Sequence, residues 1–523
     1  MEHQLIIKMG NVNSRIFGHI PDDVMEKLSE TLAYRRKGDE YSAKVADGSW
    51  DGVRHLFEAY RKIFPTGLTS IVLSILKSCG ISFVFEDQRV KPKRNRDWHV
   101  EMEEGFDLYD FQKEAVSLCR DPGRGVFSIA TGGGKTLTFA AALAEIGVAP
   151  AVVYVPSLLL LDQTREEIER FVRDENGEKV KVGTVGNGIC DIRDITVMTV
   201  QTAITAYDFE YDKNKGTVRR RKTVKPALKK RKRIDYEEAE EDVSFVATKK
   251  DQIRSLIEGA RVIVADEAHR SASSIYQVIL KQSIDAYYRF AFSGTPYRED
   301  GTEMLIQASF GKVLMHASSS ELIRRGRLVR PYILMIDAPW GRGEACGSWL
   351  ESHKRFVVGN AERNRMIAAI TDEVRGIGPT MLLVKEISHG EALHKLIPGS
   401  VFIKGGDTKR TKDGAIADLM DGTLPILIAT PIGDEGLNLR SLAVLILADA
   451  GQSSIKLTQR VGRSLRIFPG KSCSLVIDFR DGETTLAKHA TRRRSLYLAE
   501  EEFVVADVSS KGWRAYQGIP GGR

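Results

Sequence analysis

The chain has 523 residues, and its 77 lysine and arginine residues against 70 aspartate and glutamate residues give a formal net charge of +7 at pH 7. The length predicts two to four domains, and this mild basic excess is compatible with a polyanionic partner without establishing one. Five cysteines lie far apart with no Cys-x-x-Cys pair, which argues against a zinc or iron–sulfur centre and indicates a reducing compartment.

The sequence also predicts a protein that lies outside the membrane. The first ten residues lack the apolar core of a signal peptide. The most apolar run, AVVYVPSLLLL at 151–161, is too short to span a bilayer and contains a proline. We therefore expect a cytoplasmic protein with no membrane partner.

Residues 1–100 predict a small α+β accessory domain. The stretch DDVMEKLSETLAYR at 22–35 has helical apolar spacing, and ISFVFED at 81–87 is typical of a strand. A basic, proline-containing segment at 90–99 then indicates a linker. The stretch WDGVRHLFEAYRKIF at 50–64 mixes aromatic and basic residues. That mixture is compatible with a nucleic-acid contact and equally with the core of a small domain.

Residues 101–340 predict a first α/β domain, because apolar strands alternate there with helical stretches. The apolar runs and the polar residues that follow them read GVFSIATGGGKT, AVVYVPS, ITVMTVQT, VIVADEAH and RFAFSGTP. Strands separated by helices imply a parallel, doubly wound sheet, whose functional loops gather at the carboxyl ends of its strands. A charged insertion at 207–250 interrupts the pattern. We expect it to protrude, and its basic half favours a nucleic-acid contact over a merely solvated segment.

Residues 341–482 repeat the same alternation and predict a second α/β domain. Its strand-like runs are TMLLVKE, SVFIKGG, PILIAT, AVLILAD and SLVIDF. Residues 483–523 form a charged, basic extension that is expected to be partly helical. The fold class predicted from these patterns is α/β, with two doubly wound parallel-sheet domains and a small α+β domain at the N-terminus.

The stretch TGGGKT at 131–136 resembles a phosphate-binding Walker A loop. Backbone N–H groups of a glycine turn and of the following helix can hold phosphate oxygens. Lys135 would then reach the β- and γ-phosphates, and Thr136 would bind Mg²⁺. The complete G-x-x-x-x-G-K pattern is not met, because Ile129 stands at the first glycine position. The alternative is a glycine-rich turn followed by a surface lysine.

The stretch VIVADEAH at 262–269 predicts the second half of a nucleotide site. Asp266 ends an apolar strand, where a carboxylate could join the Mg²⁺ shell, and Glu267 could polarise the attacking water. His269 is close enough in sequence to join the contacts around a γ-phosphate. A strand that ends in an acidic helix cap is the alternative, but the upstream glycine loop makes a nucleoside triphosphatase the better interpretation.

In their order and spacing, these motifs resemble those of superfamily 2 helicases. TGGGKT, DEAH, SGTP and QRVGRSLR at 459–466 carry the likeness, which extends from about Phe106 to Arg480. The stretch from FSGTPYREDG to ELIRRGRLVRP resembles the DNA-repair and restriction-type branch, and within it the UvsW-type branch-migration helicases of phages. The resemblance implies two RecA-like domains, the cofactors ATP and Mg²⁺, a DNA partner rather than RNA, and the host cytoplasm if the chain is phage-encoded.

The resemblance also assigns roles to individual residues. The candidate catalytic residues are Glu267, His269, Gln459, Arg463 and Arg466. The candidate ATP-binding residues are Gln112, Thr131, Gly132, Gly133, Gly134, Lys135, Thr136, Asp266 and Gly436, with Thr136 and Asp266 as the metal ligands. The candidate residues for nucleic-acid contact and coupling are Pro156, Thr199, Gln201, Ser293, Thr295 and Thr430.

The assignment of Arg463 and Arg466 depends on their spacing. They are three residues apart, so on one helix both would face the same side and could stabilise charge on the transferred phosphoryl group. The sequence departs from the family pattern at Tyr109, where relatives often carry arginine, which puts adenine stacking in doubt. It also departs at Gly294, within the SGT triplet, where we still expect the coupling role.

Three functions remain open at the level of sequence. The first is a DNA-dependent ATPase that unwinds or remodels branched DNA by opening and closing a cleft between the two α/β domains. The second is a translocase that moves on duplex DNA without separating its strands. The third is a DNA- or RNA-binding protein whose ATPase only switches affinity, since contacts to phosphates do not distinguish the two sugars.

Overall fold

A computed structural model of the chain describes the following residues: 4–104, 106–212, 217–220, 249–271, 273–294, 301–340, 346, 348–430, 439–451 and 454–512. The described chain divides into two compact units. One consists of Met1–Ile129 with Gly134–His316, and the other of Ala317–Arg523 with Ala130–Gly133. The predicted Thr295 and Gly436 and most of the charged insertion lie outside the described residues.

The N-terminal region folds as a four-stranded sheet with helices packed on one face. Its elements are β1 (Leu5–Met9), β2 (Asn13–Phe17), α1 (Asp22–Thr31), β3 (Ala33–Tyr34), α2 (Ala43–Ala46), β4 (Arg54–His55), β5 (Ile63–Pro65), α3 (Thr69–Ser78) and β6 (Phe83–Asp87). The strand order is β5-β2-β1-β6, with β1 antiparallel to β2 and parallel to β6. Apolar residues of α1, α3 and one sheet face form its core. Phe57 lies in this core, only 3% exposed, so this aromatic residue of the 50–64 stretch contributes to packing.

This N-terminal region packs closely against the first α/β sheet within the same unit. Asn11 accepts a hydrogen bond from the Arg124 guanidinium at 2.6 Å and donates its side-chain amide to the Ile284 carbonyl at 3.1 Å. Gly67 lies so close to the backbone of Gln307 that a β-carbon on it would overlap the Gln307 carbonyl oxygen. The region is therefore seated directly on the strands and helices of the first α/β domain.

The first α/β domain is built on an eight-stranded sheet. Its elements up to the insertion, with the peripheral β7 and β10, are β7 (His99–Val100), α4 (Asp110–Leu118), β8 (Arg124–Ile129), α5 (Lys135–Ile146), β9 (Ala151–Val155), α6 (Leu158–Phe171), β10 (Val172–Arg173), β11 (Val182–Gly186), β12 (Ile189–Asp191), β13 (Ile195–Thr199) and α7 (Val200–Ala206). After the insertion come α8 (249–259), β16 (Val262–Asp266), α9 (Ser274–Gln282), β17 (Tyr288–Ser293), α10 (Glu303–Phe310) and β18 (Val313–Ala317).

The order of this sheet is β12-β11-β13-β9-β16-β17-β8-β18. The run from β11 to β8 is parallel, and β12 pairs antiparallel with β11 at one edge. The central strands are buried along their whole length, because helices cover both faces of a parallel sheet. The predicted doubly wound parallel sheet is thereby confirmed. In the insertion, the described backbone forms an antiparallel pair of β14 (Phe209–Asp212) and β15 (Thr217–Arg220).

The second unit contains a seven-stranded parallel sheet with the order β21-β22-β20-β23-β24-β19-β25. Its elements begin with α11 (Ser319–Arg324), β19 (Arg330–Asp337), α12 (Trp349–Ser352), a π-helix (His353–Val358), α13 (Ala361–Val374), β20 (Thr380–Leu383), α14 (Ile387–Leu396) and β21 (Ser400–Ile403). They continue with α15 (Lys409–Asp421), β22 (Ile426–Ala429), β23 (Val444–Leu447), α16 (Ser454–Ser464), β24 (Cys473–Arg480), α17 (Thr484–Leu498) and β25 (Val504–Val508).

The limits of this second unit differ from the predicted domain boundaries. β19 pairs with β24 and β25, so the predicted boundary at residue 340 falls after a strand of the second sheet. β25 comes from the predicted extension at 483–523 and is the edge strand of the same sheet. Among the described helices, none is both long and apolar enough to cross a bilayer.

Candidate ATP site and nucleic-acid contacts

The glycine-rich loop lies between the buried strand β8 and the helix α5, which begins at Lys135. Gly132 and Gly134 have φ angles of +89° and +77°, in the left-handed region that residues with a β-carbon adopt only at a cost. The Gly133 N–H donates to the Ala130 carbonyl at 3.0 Å and closes the turn. Thr131 belongs to the same turn, and Thr136 is the second residue of α5. The loop thus has the strand, turn and helix N-terminus that a phosphate site requires.

Gln112 is tied to this loop by backbone contacts. Its side chain is 2% exposed, accepts from the Tyr109 N–H at 2.9 Å, and donates from Nε2 to the Gly134 carbonyl at 3.5 Å. A β-carbon on Gly134 would lie 2.6 Å from the same Nε2. Gln112 therefore helps to set the shape of the glycine turn, and its predicted contact to adenine stays a prediction.

Asp266 and Glu267 lie at the carboxyl end of β16, in the same unit as Lys135. Asp266 is 4% exposed, and burial together with the neighbouring Glu267 raises its pKa to about 7, against the opposing effects of Lys135 and of the Glu267 N–H. That N–H donates to the Asp266 carboxylate at 2.9 Å. Glu267 itself has a φ of +53°, an uncommon backbone conformation that turns the chain sharply after the strand.

His269 connects the DEAH sequence to the end of β17. Its Nδ1 lies 3.3 Å from the hydroxyl of Ser293, the last residue of β17, and 3.4 Å from the Glu267 carboxylate. His269 and Ser293 are both buried. The structure therefore brings Glu267, His269 and Ser293 together, which gives a direct path from the carboxylate to the SGT segment.

The residues of this site suit a magnesium nucleotide. Among the described residues, no group of three or more histidine, cysteine, aspartate or glutamate side chains could hold a metal ion alone. Mg²⁺ usually takes one or two protein oxygen ligands and completes its shell with phosphates and water. The Thr136 hydroxyl and the Asp266 carboxylate are ligands of that kind. Burial and the neighbouring Glu267 raise the pKa of Asp266, and a cation bound beside it would favour its ionised form.

The Asp266 pKa leads to a prediction about pH and stability. Because its folded-state pKa of about 7 exceeds the ordinary 3.8, the folded state should lose stability as pH rises between these values. Asp266→Asn cannot ionise, so without nucleotide and Mg²⁺ it should raise Tm by roughly 4 °C at pH 8 and by much less at pH 5. Differential scanning fluorimetry measures this, with the exposed Asp251→Asn as control. An equal Tm gain at both pH values would contradict the assignment.

The predicted nucleic-acid contacts of the first unit lie at the ends of two paired strands, β9 and β13. Gln201 is exposed and donates its side-chain amide to the Pro156 carbonyl at 3.1 Å. Thr199 is buried, and its hydroxyl caps α7 by accepting from the Thr202 N–H at 3.4 Å. The structure therefore brings Pro156, Thr199 and Gln201 together, and their contact to phosphates stays a prediction.

In the second unit, the expectation that Arg463 and Arg466 share a helical face is wrong. α16 ends at Ser464, and Arg466 instead forms a β-bridge with Leu328. The neighbouring Leu465 carbonyl accepts from the Val329 N–H at 2.8 Å, which holds the chain extended there. Gln459 and Arg463 remain one helical turn apart on α16.

Thr430 follows β22, is 6% exposed, and donates its N–H to the Ile403 carbonyl at 3.2 Å. A structurally important residue that the sequence did not single out is Arg460, between Gln459 and Arg463. Its guanidinium lies 2.6 Å from the Asp449 carboxylate, and both side chains are buried. Burial opposes ionisation of Asp449, but Arg460 outweighs it and lowers the Asp449 pKa. The basic QRVGRSLR pattern contains Arg460 but does not show which arginine is used for packing.

Two family models match separate parts of the chain. Residues 105–298 match the family model for the type III restriction enzyme, res subunit, and residues 366–468 match the helicase conserved C-terminal domain. The two matches together support an ATP-hydrolysing helicase of superfamily 2.

The chain is also similar to individual proteins along much of its length. It is 20% identical over 511 residues to the ATP-dependent DNA helicase uvsW of Enterobacteria phage T4, and this alignment covers 92% of this chain and 93% of that protein. It is 27% identical over 274 residues to helicase 22 of the Sulfolobus islandicus filamentous virus, and this match spans about half of either protein, 48% of each. S. cerevisiae Dbp5 bound to RNA and ADP BeF3 has a similar fold, with a TM-score of 0.51, 13% identity, and coverage of 78% of this chain and 92% of that one.

Proposed function

We propose that this protein is an ATP-dependent DNA helicase or translocase that unwinds or remodels branched DNA. The observation that carries the proposal is that one compact unit contains both Lys135, at the start of α5 directly after the left-handed Gly134, and the Asp266–Glu267 pair at the end of β16. The choice of DNA and of branched substrates is supported by the alignment with uvsW, which extends over nearly the whole of both chains.

In the proposed reaction, Lys135 and the N–H groups of the glycine turn bind the phosphates of ATP. Bound Mg²⁺, held by Thr136 and Asp266, would supply charge neutralisation on the phosphate oxygens. Glu267 orients the attacking water, and its carboxylate lies 3.4 Å from His269. His269 in turn contacts Ser293, so a change at Glu267 on hydrolysis can be passed to the segment after β17. We assign Gln459, Arg463 and Arg466 to the same hydrolysis reaction, as residues of the second unit.

The exposed Gln201 is the best placed of the proposed DNA contacts. Its side chain reaches the solvent beside Pro156, at the carboxyl ends of β9 and β13. Amide and hydroxyl groups at such positions bind phosphates without identifying bases. We therefore expect affinity for DNA that depends on its structure more than on its sequence.

The experiment that tests this function compares ATPase activity on different DNA forms. We expect DNA to stimulate phosphate release, with forked and four-way substrates more effective than linear duplex of equal length. Unwinding of the same forked substrate, followed by a fluorescence-quench assay, should require hydrolysable ATP. Stimulation by RNA but not by DNA, or no stimulation by any nucleic acid, would contradict the proposal.

The match of residues 105–298 to a restriction-enzyme res subunit favours one second candidate, a motor that moves along duplex DNA without separating it. Strand displacement and triplex displacement distinguish the two. A helicase should release the strand of a forked duplex. A duplex translocase should displace only the third strand of a triplex, and this displacement should require hydrolysis of ATP.

A further inference from the structure

The N-terminal sheet has one covered face and one face that its own helices leave exposed. Along β2, Ser14 and Ile16 are buried while Arg15 and Phe17 are exposed, and along β1 buried residues alternate with the half-buried Ile6 and Lys8. The buried face packs on α1 and α3 in the N-terminal core. We call the opposite face of β2, β1 and β6 the open sheet face.

The register of the strands places two distinct rows on the open sheet face. In the first row, Ile6 of β1 lies between Phe17 of β2 and Val84 of β6, and Phe17 and Val84 are 38% and 40% exposed. In the second row, Lys8 lies between Arg15 and Glu86. An apolar row with an aromatic ring therefore runs beside a row of charged side chains.

The cationic groups of the second row lie against the aromatic ring of the first. The Arg15 guanidinium carbon is 4.9 Å and the Lys8 ammonium 5.3 Å from the centre of the Phe17 ring. Glu86 is the acidic member of this row, 3.5 Å from Lys8. An exposed aromatic ring flanked by an arginine and a lysine combines a stacking surface with groups that attract phosphates.

We propose that the open sheet face binds single-stranded DNA, with a base stacked on Phe17 and phosphates held by Arg15 and Lys8. An unpaired strand suits this surface better than a duplex, because only unstacked bases can lie flat on an exposed ring. The positive charge of Lys8 and Arg15 complements the phosphates, and Val84 and Ile6 extend the apolar contact for a neighbouring base. This inference rests on the proposed function and adds a second DNA contact to it.

The proposed contact would belong to the same compact unit as the first α/β domain. The N-terminal region is seated on the first α/β domain through Asn11, Arg124 and Gly67. A strand held on the open sheet face would therefore be held by the same unit that contains Lys135 and Asp266. Such a contact could keep a displaced strand close to the motor during remodelling.

Photo-crosslinking with the full-length chain tests the proposal. The probe is an oligothymidylate in which 5-bromodeoxyuridine replaces several thymidines, and cross-linked peptides are mapped by mass spectrometry. We expect cross-links to β2 at Phe17. We also expect Phe17→Leu to weaken binding of the same probe at least about fivefold, with a similar loss for the double variant Lys8→Ala, Arg15→Ala.

Phe85 offers a matched control. It is 41% exposed on β6 but pairs with the buried Ile7, so it lies on the helix-covered side of the sheet. Phe85→Leu should leave the affinity unchanged, whereas Glu86→Gln should tighten binding about twofold to threefold by removing a negative charge beside Lys8. DNA-free ATPase activity should be the same in all these variants.

The outcomes separate this inference from the proposed function. If DNA stimulates the ATPase but no cross-link maps to β2, the open sheet face is not a DNA contact and the proposed function survives. Equal loss of affinity in Phe17→Leu and Phe85→Leu would also overturn the inference, as would stronger cross-linking of a uridine RNA of the same length. If no nucleic acid stimulates the ATPase, the proposed function fails on its own account.

Discussion

ATP turnover should fall at least about 100-fold when Lys135 is replaced by alanine, with the fold retained. Lys135 is the first residue of α5, directly after the left-handed Gly134, where a helix N-terminus and an ammonium group can act on the same phosphates. Its charge also favours ionisation of Asp266. Steady-state phosphate release at saturating DNA measures the loss, and circular dichroism checks the fold.

The matched control is Lys281→Ala. Lys281 is an exposed lysine in the last turn of α9, within the same unit as Lys135, and it belongs to none of the nucleotide motifs. Its removal should leave turnover unchanged within about twofold. Turnover of Lys135→Ala within a few-fold of the parent enzyme would mean that the glycine turn is not the phosphate site.

The parallel strands of both α/β domains could be predicted because their sequences are almost continuously apolar. β8, β9, β13, β16 and β17 are buried along their length, and a strand covered on both faces must be apolar at every position. The polar residues that follow these strands then mark the carboxyl edge of the sheet. This is why the positions of Lys135, Asp266 and Ser293 could be predicted from local patterns.

Contacts between segments distant in sequence could not be predicted in the same way. The helical spacing of Arg463 and Arg466 was misleading because Leu328, over 130 positions away, pairs with Arg466 and ends the helix pattern. The Gln112 contact to Gly134 and the Arg460–Asp449 ion pair depend equally on tertiary neighbours. Local spacing identifies which residues can share a face, but not which of them will be used for packing.

The N-terminal region shows the same limit for aromatic residues. The stretch at 50–64 mixes aromatic and basic residues, yet Phe57 is buried in the core and Trp50 donates its indole N–H to the Val53 carbonyl. Phe17 is a single aromatic residue in a short strand and carries no motif. Its exposure, and the proximity of Arg15 and Lys8, follow only from the pairing of β1 with β2.

Arg463→Ala should retain ATP binding and lose at least about 100-fold in the hydrolysis rate. A guanidinium that stabilises the charge of the transferred phosphoryl group acts in the transition state, so its loss lowers kcat more than it raises KM. Arg463→Lys should recover little activity, because an ammonium cannot reproduce the planar, bidentate contact. Fluorescent-nucleotide binding and single-turnover hydrolysis, measured side by side, separate the two effects.

Arg460→Ala is the decisive comparison for this prediction, since it removes the same charge three residues earlier on α16. Arg460 pairs with the buried Asp449 at 2.6 Å, and removing this nearest counter-charge should cost about 3 kcal/mol of stability, although Arg493 still favours the ionised carboxylate. We therefore expect Arg460→Ala to lower Tm markedly, whereas Arg463→Ala should keep the parental Tm and lose hydrolysis. If Arg463→Ala instead raises KM for ATP and leaves kcat unchanged, Arg463 contributes to ground-state binding. A contact made only in the transition state would lower kcat while the nucleotide still binds.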